Sequence, residues 1–158
     1  MERLFTNEVQ VYDTLSRFEG IYIPRCRGAY TLDHEDRELP EDRSVNVILF
    51  QLVKGTKLSD TWPQCYSTSQ KSVICDQIKV IAQEMNDHGV VWPCVCADNF
   101  IVELGTRSIV AYDFSGTLLQ DQSHSRYKMN VRSQNHLINE FLRRLGFRSE
   151  LGDLEQIS

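Results

Sequence analysis

Residues 88–115 read HGVVWPCVCADNFIVELGTRSIVAYDFS, and the organisation of the chain follows from them. His88 and Gly89 close a helical pattern, with the glycine placed as a C-terminal cap. Residues 92–99 have no period and carry Pro93, Cys94 and Cys96, so they predict a loop. Phe100, Ile101 and Val102 predict a short strand, Gly105-Thr106 a tight turn, and Ile109, Val110 and Tyr112 the returning strand. Asp113-Phe114-Ser115 opens the loop that follows.

Working outward toward the N-terminus, residues 71–88 place Ile74, Ile78, Ile81 and Met85 at steps of four, three and four, the stripe of a helix. Residues 62–70 form a polar connection containing Pro63. Residues 45–53, VNVILFQLV, predict an apolar strand, buried on both faces if its neighbours allow, broken by residues 54–58. Residues 33–43 are a charged loop, residues 27–32 alternate toward a strand, and residues 21–24 are extended. Leu4, Val11, Leu15 and Phe18 give a helix over residues 4–18, with Glu8 on the same side and Gly20 as its stop. Toward the C-terminus, residues 116–131 are polar. Residues 134–145 carry Ile138, Phe141, Leu142 and Leu145 on one helical stripe, with Arg143 and Arg144 on the negative end of the helix dipole.

A length of 158 residues with 41% apolar side chains suits one domain with its own core. The net charge of −5, with no basic stripe, argues against nucleic acid as a partner. No run approaches the roughly 20 apolar residues that span a bilayer, and MERLFTNEVQ has no signal-peptide core. The sequence therefore predicts a cytoplasmic protein with no membrane partner. Cys26, Cys65, Cys75, Cys94 and Cys96 are odd in number and irregularly spaced, as reduced thiols are. Cys94-Val-Cys96 could be half a metal site, but zinc usually takes wider cysteine spacing and two further ligands, so no metal is expected.

The order of elements, with Asn99 before one strand and Asp113-Phe114 after the next, resembles the catalytic core of the protein-kinase-like fold. That family carries H-R-D-x-x-x-x-N in its catalytic loop and D-F-G after it. The runs at residues 47–58 (VILFQLVKGTKL), 87–99 (DHGVVWPCVCADN) and 112–114 (YDF) carry the resemblance, which spans residues 8–115 and is closer to small fungal kinase-like proteins than to signalling kinases. It implies an α+β fold with residues 1–53 as the remnant of a small lobe, residues 54–147 as a helical lobe and residues 148–158 as a loose tail. The hinge between lobes would lie near residues 50–54. No G-x-G-x-x-G occurs, and the small lobe is expected to lack both the glycine-rich loop and the strand lysine.

Laid over the family pattern, the loop's His, Arg and Asp become Trp92, Pro93 and Cys94, and the glycine after Asp113-Phe114 becomes Ser115. Asn99 and Asp113 occupy the positions that hold magnesium in a working kinase; the alternative is that both brace loops. Cys94 stands where the proton acceptor belongs, and a thiol with an ordinary pKa near 8.5 is a poor base at neutral pH. Pairing of Cys94 with His88 for nucleophilic catalysis lacks a third, orienting group. Trp92 either fills the core or lines a remodelled pocket with Cys94, Asn99, Asp113 and Phe114. Glu8, without its lysine, is expected in solvent or paired with an arginine such as Arg27. Asp98 reads as a surface cap, and His34, His124 and His136 as solvated.

These residues predict a non-catalytic, pseudokinase-like binding module that cannot transfer phosphate, with no cofactor and no retained magnesium–ATP. Its partner would be a protein or a second copy of the chain, held through the reduced small lobe. The alternative is a small-molecule enzyme that cyclises, isomerises or moves a proton on an apolar metabolite in the interlobe cleft. A third reading is residual phosphotransfer to a small molecule, as in the aminoglycoside-phosphotransferase branch of the fold.

Overall fold

The computed structural model of the chain describes residues 2–33, 44–61, 66–93, 95–120, 126–144 and 146. The expected charged loop lies outside these residues from 34 to 43 (with His34), as do residues 62–65 of the polar connection (with Cys65), Cys94, residues 121–125 (with His124), Leu145 and the 148–158 tail. The fold is α+β, with four α-helices and three small antiparallel sheets among the described residues.

Helix α1 (Glu2–Thr14) ends four residues short of its expected limit, and a 3-10 turn, Ser16–Phe18, carries the chain on. Its buried side chains are Val11 and Tyr12, and Leu15 and Phe18 beyond its end are buried too, whereas Leu4 is 54% exposed and does not belong to the stripe. Residues 21–24 are extended only in part: Ile21 and Tyr22 form a turn, and Ile23 makes an isolated parallel bridge with Glu19. Gly20 takes a left-handed φ of +74° and the chain turns, so that Gly20 N–H donates to the Ile23 carbonyl at 2.7 Å.

Strands β1 (Cys26–Asp33) and β2 (Ser44–Phe50) form an antiparallel ribbon that pairs with no other described strand. Here the structure corrects the expectation of a strand buried on both faces. The register pairs Tyr30 with Val47, Leu32 with Val45 and Gly28 with Leu49 on one face. Opposite pairs share a face, so Phe50 belongs to the other face, where its ring meets Tyr12 of α1 at 4.6 Å between centroids. Helix α1 packs against that second face.

Residues 54–58 do more than break a strand. They hold β3 (Gly55–Lys57) and begin the short helix α2 (Leu58–Thr61). Strand β3 pairs with β5 (Phe100–Glu103), which pairs in turn with β6 (Ile109–Ala111). The free edge of β6 is closed: Ile109 N–H donates to Gln77 Oε1 at 2.7 Å, and Ala111 N–H to the Tyr22 carbonyl at 2.8 Å.

Helix α3 (Thr68–Asp87) opens on a capping box, in which Ser67 and Gln70 satisfy each other's backbone N–H. Its buried face is Ile74, Ile78, Ile81 and Met85, as the spacing predicts, with Cys75, Ala82 and Asn86 added. Gly89 leaves the helix with φ +74° and lets β4 (Val90–Val91) pair with β7 (Leu118–Leu119). Helix α4 (Tyr127–Arg144) begins seven residues before its expected start. Its inner face includes Gln134 and Asn135 ahead of Ile138 and Leu142, and the buried amides leave no apolar stripe to read before Ile138. Gln134 is used as a bracket: its Oε1 accepts the Trp92 N–H.

Candidate functional site

Asn99 and Asp113 flank the β5–β6 hairpin at its open end, with Tyr112 N–H donating to the Asn99 carbonyl at 3.0 Å. The hairpin therefore sets Asn99 beside Tyr112, the residue before Asp113. Asn99 is 8% exposed, and its Oδ1 accepts the Cys96 N–H and the Cys96 Sγ–H, both at 3.0 Å. A carbonyl oxygen has two lone pairs, and both are used. The amide nitrogen is no metal ligand, so Asn99 does not fit a magnesium site as it stands. It braces the loop that ends in the 3-10 turn Ala97–Asn99.

Asp113 is exposed and takes φ +63°, a left-handed backbone that aspartate tolerates better than most residues. Ser115 Oγ donates to its Oδ1 at 2.8 Å. The turn that follows is held by Phe114 and Thr117: the Phe114 carbonyl accepts the Thr117 N–H at 3.0 Å and its hydroxyl at 2.7 Å.

Helix α1 locks onto this turn. Asn7 Nδ2 donates to the carbonyls of Ser115 at 3.3 Å and Thr117 at 3.0 Å. Glu8 Oε1 accepts the Phe114 N–H at 3.2 Å. Glu8 is thus neither in open solvent nor paired with Arg27; its carboxylate joins two segments 106 residues apart. Burial raises its pKa, the Phe114 hydrogen bond opposes that rise, and the charge of Asp113 adds to it. Tyr12, one turn along α1, is 2% exposed, and its hydroxyl has no partner among the described residues. Burial first, and then the charges of Glu8, Cys26 and Asp113, raise its pKa above the ordinary phenol value.

A carboxyl with a folded-state pKa above its unfolded one favours the folded state below the unfolded pKa and loses that contribution as pH rises through the folded pKa. Glu8 ionised at neutral pH is therefore a cost. Glu8→Gln keeps an oxygen for the Phe114 N–H and removes the charge. Urea midpoints should show the variant as stable as the parent, or more so, at pH 7, and the gap should close as pH falls through the carboxylate range. A variant clearly less stable at pH 7 would mean that the charge itself holds the turn.

Trp92 and Phe114 are 2% and 0% exposed. Their rings meet at 5.1 Å, and Trp92 also meets Phe100 at 5.5 Å, while Phe114 meets Tyr12 at 5.3 Å. Both are core side chains, and neither presents an open wall. His88 is also engaged: its Nδ1 lies 2.7 Å from the Glu84 carbonyl and its ring stands edge-on to Phe18 at 5.2 Å. Cys96 is exposed, while burial pushes the Cys75 thiol up to about 12, which makes it an inert core residue. Asp98 and His136 are exposed.

Sequence reading did not find Asn7, the second residue of the helix-to-turn lock. No local signal marks it, because its partners are backbone carbonyls more than a hundred positions away. A groove of about 350 Å³ lies elsewhere, between residues 20–25, residues 51–53 and the β5–β6 hairpin; Arg25, Leu52 and Glu103 line it, and none of the expected site residues does. Among the described residues no helix is long and apolar enough to cross a membrane. No protein-family model matches the chain, and no curated protein matches it.

Proposed function

We propose that the chain is a non-catalytic kinase-like domain that works by binding a protein, with residues 1–53 as its small lobe and residues 54–147 as its helical lobe. The observation that carries this reading is the apolar face of the β1–β2 ribbon. Tyr30, Leu32, Val45 and Leu49 are 48%, 55%, 51% and 49% exposed on one continuous surface. Contiguous apolar surface of this kind marks interaction sites in soluble proteins. The chemistry of the old active-site positions supports the same reading. The proton-acceptor position holds Cys94, Asn99 is committed to Cys96, and Glu8 is committed to Phe114. Neither a nucleotide nor magnesium is part of this function, and the domain acts in the cytoplasm.

Thermal unfolding with and without saturating magnesium–ATP tests this. A ligand at about a hundred times its dissociation constant adds roughly 2.7 kcal/mol. The expected result is no shift. A magnesium-dependent rise that disappears in Asp113→Ala would overturn the reading.

The small-molecule alternative has one observation in its favour: the unpartnered Tyr12 hydroxyl beside the raised Glu8 carboxyl and Asp113. The burial of Trp92 and Phe114 weighs against it, since an apolar substrate would need them on an open wall.

A further inference from the structure

A second groove, of about 260 Å³, runs between the first half of α3 and the turn that joins β5 to β6. Val73 and Ile74 of α3 give it apolar lining, and Gln70, Gln77, Thr106 and Arg107 bring its polar groups. Ile74 is buried, whereas Val73 beside it is 52% exposed.

The free polar groups of this groove are of one kind. Gln77 Oε1 accepts the Ile109 N–H at 2.7 Å, and Gln70 Oε1 accepts the Ser67 N–H at 2.9 Å. A backbone N–H can meet only the oxygen of a side-chain amide, so both bonds fix the amide's orientation. Each glutamine is left with Nε2 as a donor that has no acceptor among the described residues. The Thr106 hydroxyl is already committed: it donates to Glu103 Oε2 at 2.7 Å and accepts the Ser108 N–H at 3.1 Å. Arg107 makes no ion pair among the described residues, and a guanidinium carries donors alone. No carboxylate lines the groove, and Glu103, the one acid of the hairpin, lines the other groove instead.

The backbone at Arg107 has φ +58°, a left-handed conformation that arginine adopts at a cost. Glycine would satisfy the turn without that cost. The arginine side chain is therefore not something the turn requires.

We propose that this groove binds a small monocarboxylate, an aryl or branched-alkyl acid whose apolar body rests on Val73 and Ile74 and whose carboxylate accepts from Arg107 and the free glutamine amides. The guanidinium fork matches the two oxygens of a carboxylate. A groove below the roughly 300–1,000 Å³ of drug-sized sites limits the occupant to about one ring. A cation fits less well, because every free polar group of Gln70, Gln77 and Arg107 donates. The proposal goes beyond the binding-module reading and shares no residue with the ribbon face, so either can fail without the other.

Phenylacetate titrated into the isotope-labelled full chain, followed by amide NMR, tests the proposal. The expected result is a saturable shift of the Gln70 and Gln77 side-chain amides, with a dissociation constant of about a millimolar, the scale for about ten heavy atoms. Phenylethanol, which keeps the ring and loses the charge, should bind about tenfold more weakly. Arg107→Gly should cost a similar factor in phenylacetate affinity, yet its urea midpoint should equal or exceed the parent's, because glycine accepts the positive φ. Val73→Glu sets a carboxylate in the groove and should remove saturable binding with circular dichroism unchanged, since the position is half exposed. A dipeptide ending in a free phenylalanine carboxylate should bind no more tightly than phenylacetate; tighter binding would overturn the free small molecule as occupant. No saturable shift up to about ten times the expected constant would overturn the proposal. So would equal affinity for phenylethanol, or an affinity for phenylacetate that Arg107→Gly leaves unchanged.

Discussion

Trp92→Ala is expected to cost about 3–5 kcal/mol in urea denaturation, enough to unfold a marginal domain near physiological temperature. The indole is 2% exposed and sits between Phe100 and Phe114, and Phe114 in turn carries Tyr12 and, through it, the base of the ribbon. Truncation removes the largest fully buried side chain among the described residues and leaves a cavity that rings on two sides cannot collapse to fill. The Trp92 N–H to Gln134 bracket is a backbone bond and survives the change, so the loss isolates packing. Trp92→Phe, which keeps an aromatic ring in the gap, should recover more than half of the loss. A loss under about 1 kcal/mol for Trp92→Ala would mean that the indole lines an open cleft after all.

Gly89→Ala should cost roughly 2–3 kcal/mol, an unusual penalty for adding one methyl group. Two effects coincide there. The backbone has φ +74°, which alanine adopts only with strain, and a Cβ would lie 2.5 Å from the Gln120 carbonyl oxygen. That carbonyl cannot retreat freely, because Gln120 N–H donates to the Gly89 carbonyl at 2.8 Å and the β4–β7 pair continues beyond it. Gly105→Ala, also at positive φ but with nothing within 4 Å, provides the control: it should cost only the backbone term, near 1 kcal/mol. Equal losses at the two positions would mean that the carbonyl contact contributes nothing. Denaturant midpoints at constant m-value measure both.

The buried face of α3 and its glycine end were legible in the sequence, because its apolar period runs unbroken, but its first turn and the Ser67–Gln70 capping box fell in the stretch read as a polar connection. The β5–β6 hairpin and the positions of Asn99 and Asp113 were legible for a similar reason: a turn dipeptide between two short apolar runs leaves little choice of register. The fate of VNVILFQLV was not. A continuous apolar run reads as a strand covered on both sides, and whether the cover exists depends on which elements dock there. Here α1 docks on one face. The start of α4 was hidden because its inner face uses Gln134 and Asn135, whose burial depends on partners such as the Trp92 backbone. Glu8 illustrates the limit for site reading. Its acceptor role depends on a backbone N–H 106 residues away, and no local pattern announces such a meeting.

ATP turnover by the purified chain in the presence of magnesium tests the central proposal most directly. If the domain is a binding module, phosphate release and transfer stay at the rate of buffer alone, and Asp113→Ala changes nothing. Turnover above that rate, lost in Asp113→Ala, would contradict the account.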